Sequence, residues 1–287
     1  MTHPVLGIDH TYLLVQDLDA SAALYRQLGF TLSPRGLHSP QKGTGNHTIV
    51  FKDDYVELLG VVNATALNRP QRDSLAQNGE GLQAIANRTQ NANAAKPALA
   101  ARGIATGEVS AFSRPLPLPG GKEGVASFRT LGFDADEVPV GHFFLCQHET
   151  PEMVWLPELQ QHPNGAIALG GIVAVVDEPR NIAEIYSRFY EAGRVVEAEG
   201  GFRVDTGINS APLLFVDPTA ARTLFPGQEV EQGKANRLAA LRIVVDDLQR
   251  TRQHLVDHDM AFSVTPGGGI GVGPRQASGA IIEFLAG

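Results

Sequence analysis

The side chains able to do chemistry gather in the first half of the chain. His10 lies in Ile8-Asp9-His10-Thr11-Tyr12, Glu57 in Tyr55-Val56-Glu57-Leu58, and His148 in Phe144-Leu145-Cys146-Gln147-His148. Imidazole and carboxylate groups bind divalent metal ions and carry protons near neutral pH. A lone histidine or glutamate on a strand is more often a hydrogen-bonded structural residue, so position within a larger pattern must decide. His38, His47 and His142 are further candidate ligands or cavity residues. Arg114, Lys122 and Arg129 form a basic set that, if it converges, holds a substrate carboxylate or phosphate. Cys146 sits in an apolar run and is expected to be an inert core thiol, while Tyr12 and Trp155 are expected to pack. The run Gly267-Gly268-Gly269-Ile270-Gly271 lacks the Lys-Ser/Thr of a phosphate loop and reads as a hairpin turn.

These residues need elements to position them. Alternation and β-branched content predict a strand at Ile8 to Val15. Asp17 is a suitable helix cap, Leu18, Ala22, Tyr25 and Leu28 follow at helical spacing, and Gly29 stops the helix. Further strands are read at Phe30 to Ser33, His47 to Phe51 and Asp54 to Val61. The unit is β-α-β-β-β. It recurs at the C-terminus, where Leu241 to Val245 leads into Asp246-Asp247-Leu248 and the chain closes on Ile281-Ile282-Glu283-Phe284-Leu285. Two less regular copies lie between: a strand at Leu82 to Thr89 with a helix to Arg102, and a strand at Leu169 to Val176 with a helix through Ile182, Ile185, Tyr186 and Phe189. Four modules result, at 5–62, 81–155, 168–217 and 237–287. Segments 63–80 and 218–236 read as connectors, and Pro115 to Gly121 as a loop able to act as a lid. The expected fold is α+β, with the four modules paired into two curved mixed sheets and helices on the outer faces. The expected division is 1–165 and 166–287, and paired modules leave a concave face for a ligand.

The ordered blocks resemble the vicinal oxygen chelate superfamily, and more narrowly its glyoxalase-like domain family. The blocks are Asp9-His10 with Val15-x-Asp17-Leu18, Leu28-Gly29-Phe30, Gly43-Thr44-Gly45-Asn46 and Tyr55-Val56-Glu57-Leu58. The second module adds Ser113-Arg114, Gly120-Gly121-Lys122, Phe128-Arg129-Thr130 and Phe144-x-Cys146-Gln147-His148-x-Thr150-Pro151-Glu152. The resemblance implies a divalent ion (zinc, iron, nickel, cobalt or manganese) held by first and last strands of paired modules. On this sequence that implies His10, Glu57 and His148, with Glu57 also the candidate base and Asn46 joining Arg114, Lys122 and Arg129 in substrate binding. The fourth position falls at about Ala84, which cannot bind metal; the adjacent Gln83 points to the other face. Period-2 alternation puts Ile8, His10, Tyr12 and Leu14 on one face, and likewise Tyr55, Glu57 and Leu59, and Phe144, Cys146 and His148. The second pair offers Gly171, Phe215, Ala240 and Glu283, one carboxylate and no site, so it reads as a metal-free lobe.

Composition narrows the function. In 287 residues, 43% are hydrophobic and 19% charged, which supports a sizeable core and excludes a disordered chain. The net charge of −8 disfavours nucleic acid. No apolar run is long enough to span a membrane, and no leader is read at the N-terminus, so a cytoplasmic protein is expected. One cysteine excludes an internal disulfide framework. Three functions remain: a metal-dependent glyoxalase-like lyase or isomerase, a ring-cleaving dioxygenase, and a metal-free small-molecule binding or resistance protein. The expected partners are a small-molecule substrate and a second copy of the chain in a homodimer.

Overall fold

The computed structural model describes residues 3–118, 122–198, 200–228 and 236–287. Sixteen strands among them form two eight-stranded mixed sheets. The first runs β2 (Gly36–Leu37), β3 (Thr44–Val50), β4 (Tyr55–Val61), β1 (Ile8–Val15), β5 (Gly81–Arg88), β8 (His142–His148), β7 (Lys122–Phe133) and β6 (Thr106–Leu118). β1 is parallel to β4 and β5 to β8, and the two modules join through the antiparallel pair β1–β5. The second sheet repeats the order with β10 (Val195–Ala198), β11 (Gly201–Val204), β12 (Leu213–Val216), β9 (Ala166–Val175), β13 (Arg237–Val245), β16 (Ile281–Ala286), β15 (Ile270–Val272) and β14 (Ser263–Val264).

Helix α1 (Leu18–Gln27) starts as the sequence requires: the Asp17 carboxylate accepts from the backbone N–H groups of Asp19 and Ala20, both at 3.0 Å. Gly29 ends it at φ 89°. The helices α1, α3 (Ala92–Ala100), α4 (Pro179–Ser187) and α6 (Leu248–Asp257) all feed one hydrophobic core that also takes side chains from both sheets. The helical layers of the two halves therefore face each other. Phe133 of β7 packs edge-on to Phe189, just past α4, Phe143 of β8 packs tilted against the same ring, and the Tyr25 hydroxyl donates to Ala277 O at 3.2 Å. No helix among the described residues is long and apolar enough to cross a membrane.

Three sequence expectations change. Phe30 to Ser33 is not a strand; Phe30 and Leu32 enter the core from irregular chain, and the strand there is the two-residue β2. The connectors hold helices, α2 (Arg69–Asn78) and α5 (Pro218–Leu224). Pro115 to Leu118 belongs to β6, so the expected lid is largely strand; its remainder, Pro119 to Gly121, lies outside the described residues. The glycine run is a hairpin turn between β14 and β15, with Gly268 at φ 81° and Thr265 N–H donating to Gly269 O.

The first sheet is curled enough for its two edge strands, β2 and β6, to come into contact. Its inner face encloses a cavity of about 480 Å³. The corresponding face of the second sheet is filled by α5, Phe225 and an apolar cluster including Val173, Leu214 and Ala240.

Candidate functional site

The cavity floor is built by the central strands. β1 contributes His10 and Tyr12; β4 contributes Tyr55, Glu57 and Leu59; β8 contributes His142, Phe144 and Cys146. Asn46, Lys42, His38, Phe112, Arg114 and Phe128 complete the wall, together with Leu67, Asn68 and Gln71.

An irregularity in β1 arranges the centre. Ile8 pairs with Asn87 and His10 with Ala86, so Asp9 is an extra residue bulged out of the β1–β5 ladder. A bulge bends the strand and re-aims side chains. Asp9 turns to the same side as His10, and His10 Nδ1 donates to Asp9 Oδ1 at 2.7 Å. The bulge also shifts Ile8 off the cavity face, where alternation had put it, into the core with Leu13 and Val15. Asp9 was not among the sequence candidates for this reason.

His148 Nε2 donates to the same Asp9 Oδ1 at 2.9 Å. Asp9 is fully buried, and Arg88 Nε lies 3.6 Å from its other oxygen. Burial pushes its carboxyl up, but the two imidazoles, His148 foremost, outweigh burial and hold it well below the usual carboxylate range. His10 is clamped from above by Tyr55, stacked at 4.2 Å between ring centroids. That leaves His10 Nε2 toward the cavity, 3.9 Å from Glu57 Oε2. Glu57 is held in turn by Asn46, whose Nδ2 donates to Oε1 at 2.6 Å.

The sequence-predicted residues separate as follows. His10, Glu57, Asn46 and Arg114 line one cavity. His148 reaches the site through Asp9, packed between Phe128 and Trp155. The strand registers make Phe144 the partner of Ala86 and Glu57 the partner of Tyr12, and put His142 opposite Ala84 where Tyr55 opposes His10. The position matching Glu57 is thus Phe144, and His148 lies two pleat repeats beyond it. Arg129 points away from the cavity and pairs with Glu149 (Nε to Oε1, 2.6 Å), because its neighbours Phe128 and Thr130 take the inner face. The Lys122 side chain lies outside the described residues. Of the runner-up histidines, His38 and His142 line the cavity, whereas His47 Nδ1 donates to Ser33 O at 2.8 Å on the opposite face. Burial holds His38 down at about 4, so it is neutral at pH 7. Cys146 is buried, and burial pushes its thiol well up, keeping it protonated.

Asp9, His10, Cys146 and His148 form a group whose ligand atoms lie within 4.8 Å of one another. Two imidazole nitrogens and one carboxylate oxygen are donors that borderline divalent ions accept, so Asp9, His10 and His148 fit a divalent ion, with the protonated Cys146 thiol beside them. In the second lobe the same bulge recurs at Ala239, followed by Ala240, and Glu283 accepts from Arg242 Nε at 2.8 Å. The bulge is kept there and the donors are absent.

Two paired β-α-β-β-β sheets, one enclosing a cavity with histidine and carboxylate donors on its floor, define a protein of the vicinal oxygen chelate type. The chain belongs to the glyoxalase-like domain family, which matches residues 8–190. Its fold is similar to that of a hypothetical protein from Staphylococcus aureus, with 16% identity, TM-score 0.67, and 97% of this chain and 98% of that one covered. It is also similar to a mutant 4-hydroxymandelate synthase from Streptomyces coelicolor, with 14% identity, TM-score 0.59, and 99% and 93% covered. A methylmalonyl-CoA epimerase from Mycobacterium tuberculosis matches 51% of this chain and 91% of its own, with 17% identity and TM-score 0.39. A comparison with curated proteins finds no significant match.

Proposed function

We propose that this protein is a metal-dependent enzyme of the vicinal oxygen chelate type, a glyoxalase-like lyase or isomerase acting on a small substrate with two neighbouring oxygens. The observation that supports it is a division of labour between two carboxylates. Asp9 lies behind His10, fully buried and joined to both imidazoles, while Glu57 lies on the cavity side of His10. In this reading Asp9, His10 and His148 hold a divalent ion with Cys146 beside them, and Glu57 is free to act as the base. A bound ion supplies Lewis-acid stabilisation of negative charge developing on the substrate oxygens.

The chain's own residues do the rest. Glu57 Oε2 takes a proton from the substrate and returns it at the neighbouring atom. Asn46 fixes Glu57 by holding Oε1, so that Oε2 faces the substrate. Tyr55 keeps the His10 ring in one orientation by stacking, and Phe112, Phe128 and Phe144 exclude water from the reacting atoms.

The test is metal content and oxygen uptake of protein purified without a histidine tag, beside a His10→Ala variant. One equivalent of ion in the parent, reduced in His10→Ala, with no oxygen uptake, supports a lyase or isomerase. Bound iron with oxygen uptake would move the assignment to a dioxygenase, since two histidines and one carboxylate also serve non-haem iron. Equal divalent-ion uptake by both proteins would favour a metal-free binding protein. A chain whose one cysteine is a buried thiol suits a reducing, cytoplasmic compartment.

A further inference from the structure

Arg114 is the anomaly of the cavity. It lies on β6 at the seam where the sheet edges meet, and only 4% of it is exposed. No carboxylate of the described residues pairs with its guanidinium, and Nη1 is buried without a hydrogen-bond partner. A buried, unpaired cation destabilises the fold unless a counter-charge arrives. Asn46 Oδ1 is also buried without a partner.

Gly36 on β2 adds an independent observation. Its φ is not in the left-handed region, so its backbone does not require glycine. A Cβ there would collide with Arg114 Nη1 and Asn46 Oδ1. The missing side chain lets these two unpartnered atoms pack against the β2 backbone, which sets where the Arg114 guanidinium stands at the cavity wall. The charge of the cavity agrees: its charged lining residues are Arg114 and Lys42 against Glu57, an excess of one positive charge in a chain of net charge −8. Lys42 Nζ lies 3.4 Å from the centre of the Phe112 ring, so an aromatic ring stands at the positive end of the cavity.

We infer that the cavity takes a small apolar or aromatic molecule bearing one carboxylate, which seats on Arg114 beside Asn46. The inference deepens the proposed function by naming the substrate class of the same cavity. A single guanidinium matches one carboxylate in a two-bond fork. Asn46 lies between the two ends: its Nδ2 holds Glu57, and its Oδ1, an acceptor that gives an anion nothing, lies beside Arg114 Nη1 at Gly36, so the guanidinium alone binds the carboxylate. The substrate's carboxylate and its reacting carbon are therefore held on either side of one asparagine.

The test is calorimetric titration of metal-free protein with 3-phenylpropionate, 3-phenylpropionamide and phenyl phosphate, so that binding is read without metal or turnover. The expected result is that 3-phenylpropionate binds and the amide binds at least tenfold more weakly. Arg114→Gln should lose at least tenfold for the carboxylate and little for the amide, while its melting temperature without ligand stays level or rises. Gly36→Ala should weaken the carboxylate with Arg114 still present. Equal binding of acid and amide, an acid affinity unchanged in a folded Arg114→Gln protein, or tighter binding of phenyl phosphate would each overturn the inference. A failure here leaves the metal test untouched, and a failed metal test leaves this binding result standing.

Discussion

At the scale of the residue, the account turns on which carboxylate does what. Asp9 accepts both imidazole N–H groups and Glu57 accepts from Asn46, so their substitutions should have separable effects. Asn46→Ala should lower turnover about tenfold or more through misplacement of Glu57 while leaving metal uptake level, measured as kcat against metal content. His10, Glu57, Asn46 and Arg114, which line one cavity, were picked out by the family-like blocks that contain them, with alternation agreeing for His10 and Glu57. Asp9 was not, because a bulge breaks that alternation and nothing in Ile8-Asp9-His10 announces it. His148 was read as the match of Glu57; the β5–β8 register gives that match to Phe144 and brings His148 in through Asp9 instead. Arg129 was read into the basic set through its Phe128-Arg129-Thr130 block; its two neighbours occupy the inner face, which turns Arg129 outward to Glu149.

At the scale of the element, caps and turns carry separate predictions. Asp17→Ala removes the acceptor for two orphan N–H groups of α1 and should cost about 1 kcal/mol in denaturant unfolding. Asp54, in the turn between β3 and β4, accepts from Leu169 N–H at 3.1 Å and is pushed up to about 7 by burial. Its folded form therefore binds its proton more tightly than the unfolded chain, whose carboxyl titrates at 3.8. Stability from this group is full below the unfolded value and is lost as pH rises from about 4 to 7. Asp54→Asn keeps the acceptor and removes the charge, so it should flatten that slope and stabilise the protein at pH 8; unfolding midpoints at pH 5 and pH 8 check it. The module order was legible from helix caps and alternation. β6 was hidden by Pro115 and Pro117, which read as loop, yet an edge strand tolerates prolines whose missing N–H faces outward. α2 was hidden because none of its residues is buried and no apolar stripe marks it.

At the scale of the molecule, one core joins the halves. Phe189, fully buried, packs on Phe133 and Phe143 of the first sheet. Phe189→Ala should cost roughly 3–5 kcal/mol, and the sole tryptophan, Trp155 in the first half, should report the loss at the same midpoint as far-UV circular dichroism. A Trp155 transition that stays put while the dichroism midpoint falls would mean the halves unfold separately. The shared core also explains the asymmetry of function. Both sheets turn their helical faces inward toward each other, leaving each inner sheet face for a ligand, and the second is filled by α5 and Phe225. Among the described residues, the first half encloses a cavity on that face, and it is the half that carries the donors.

The central claim, that Asp9 with the two histidines holds the ion and Glu57 does not, is met most directly by titrating metal-free protein with zinc and comparing Asp9→Asn, Glu57→Gln and the parent. Ligands must lose their protons to bind, so the parent's affinity should also fall as pH drops through the histidine range. The account predicts one equivalent of zinc in the parent, the same in Glu57→Gln, and affinity lowered at least tenfold in Asp9→Asn. Zinc lost in Glu57→Gln and kept in Asp9→Asn would contradict it.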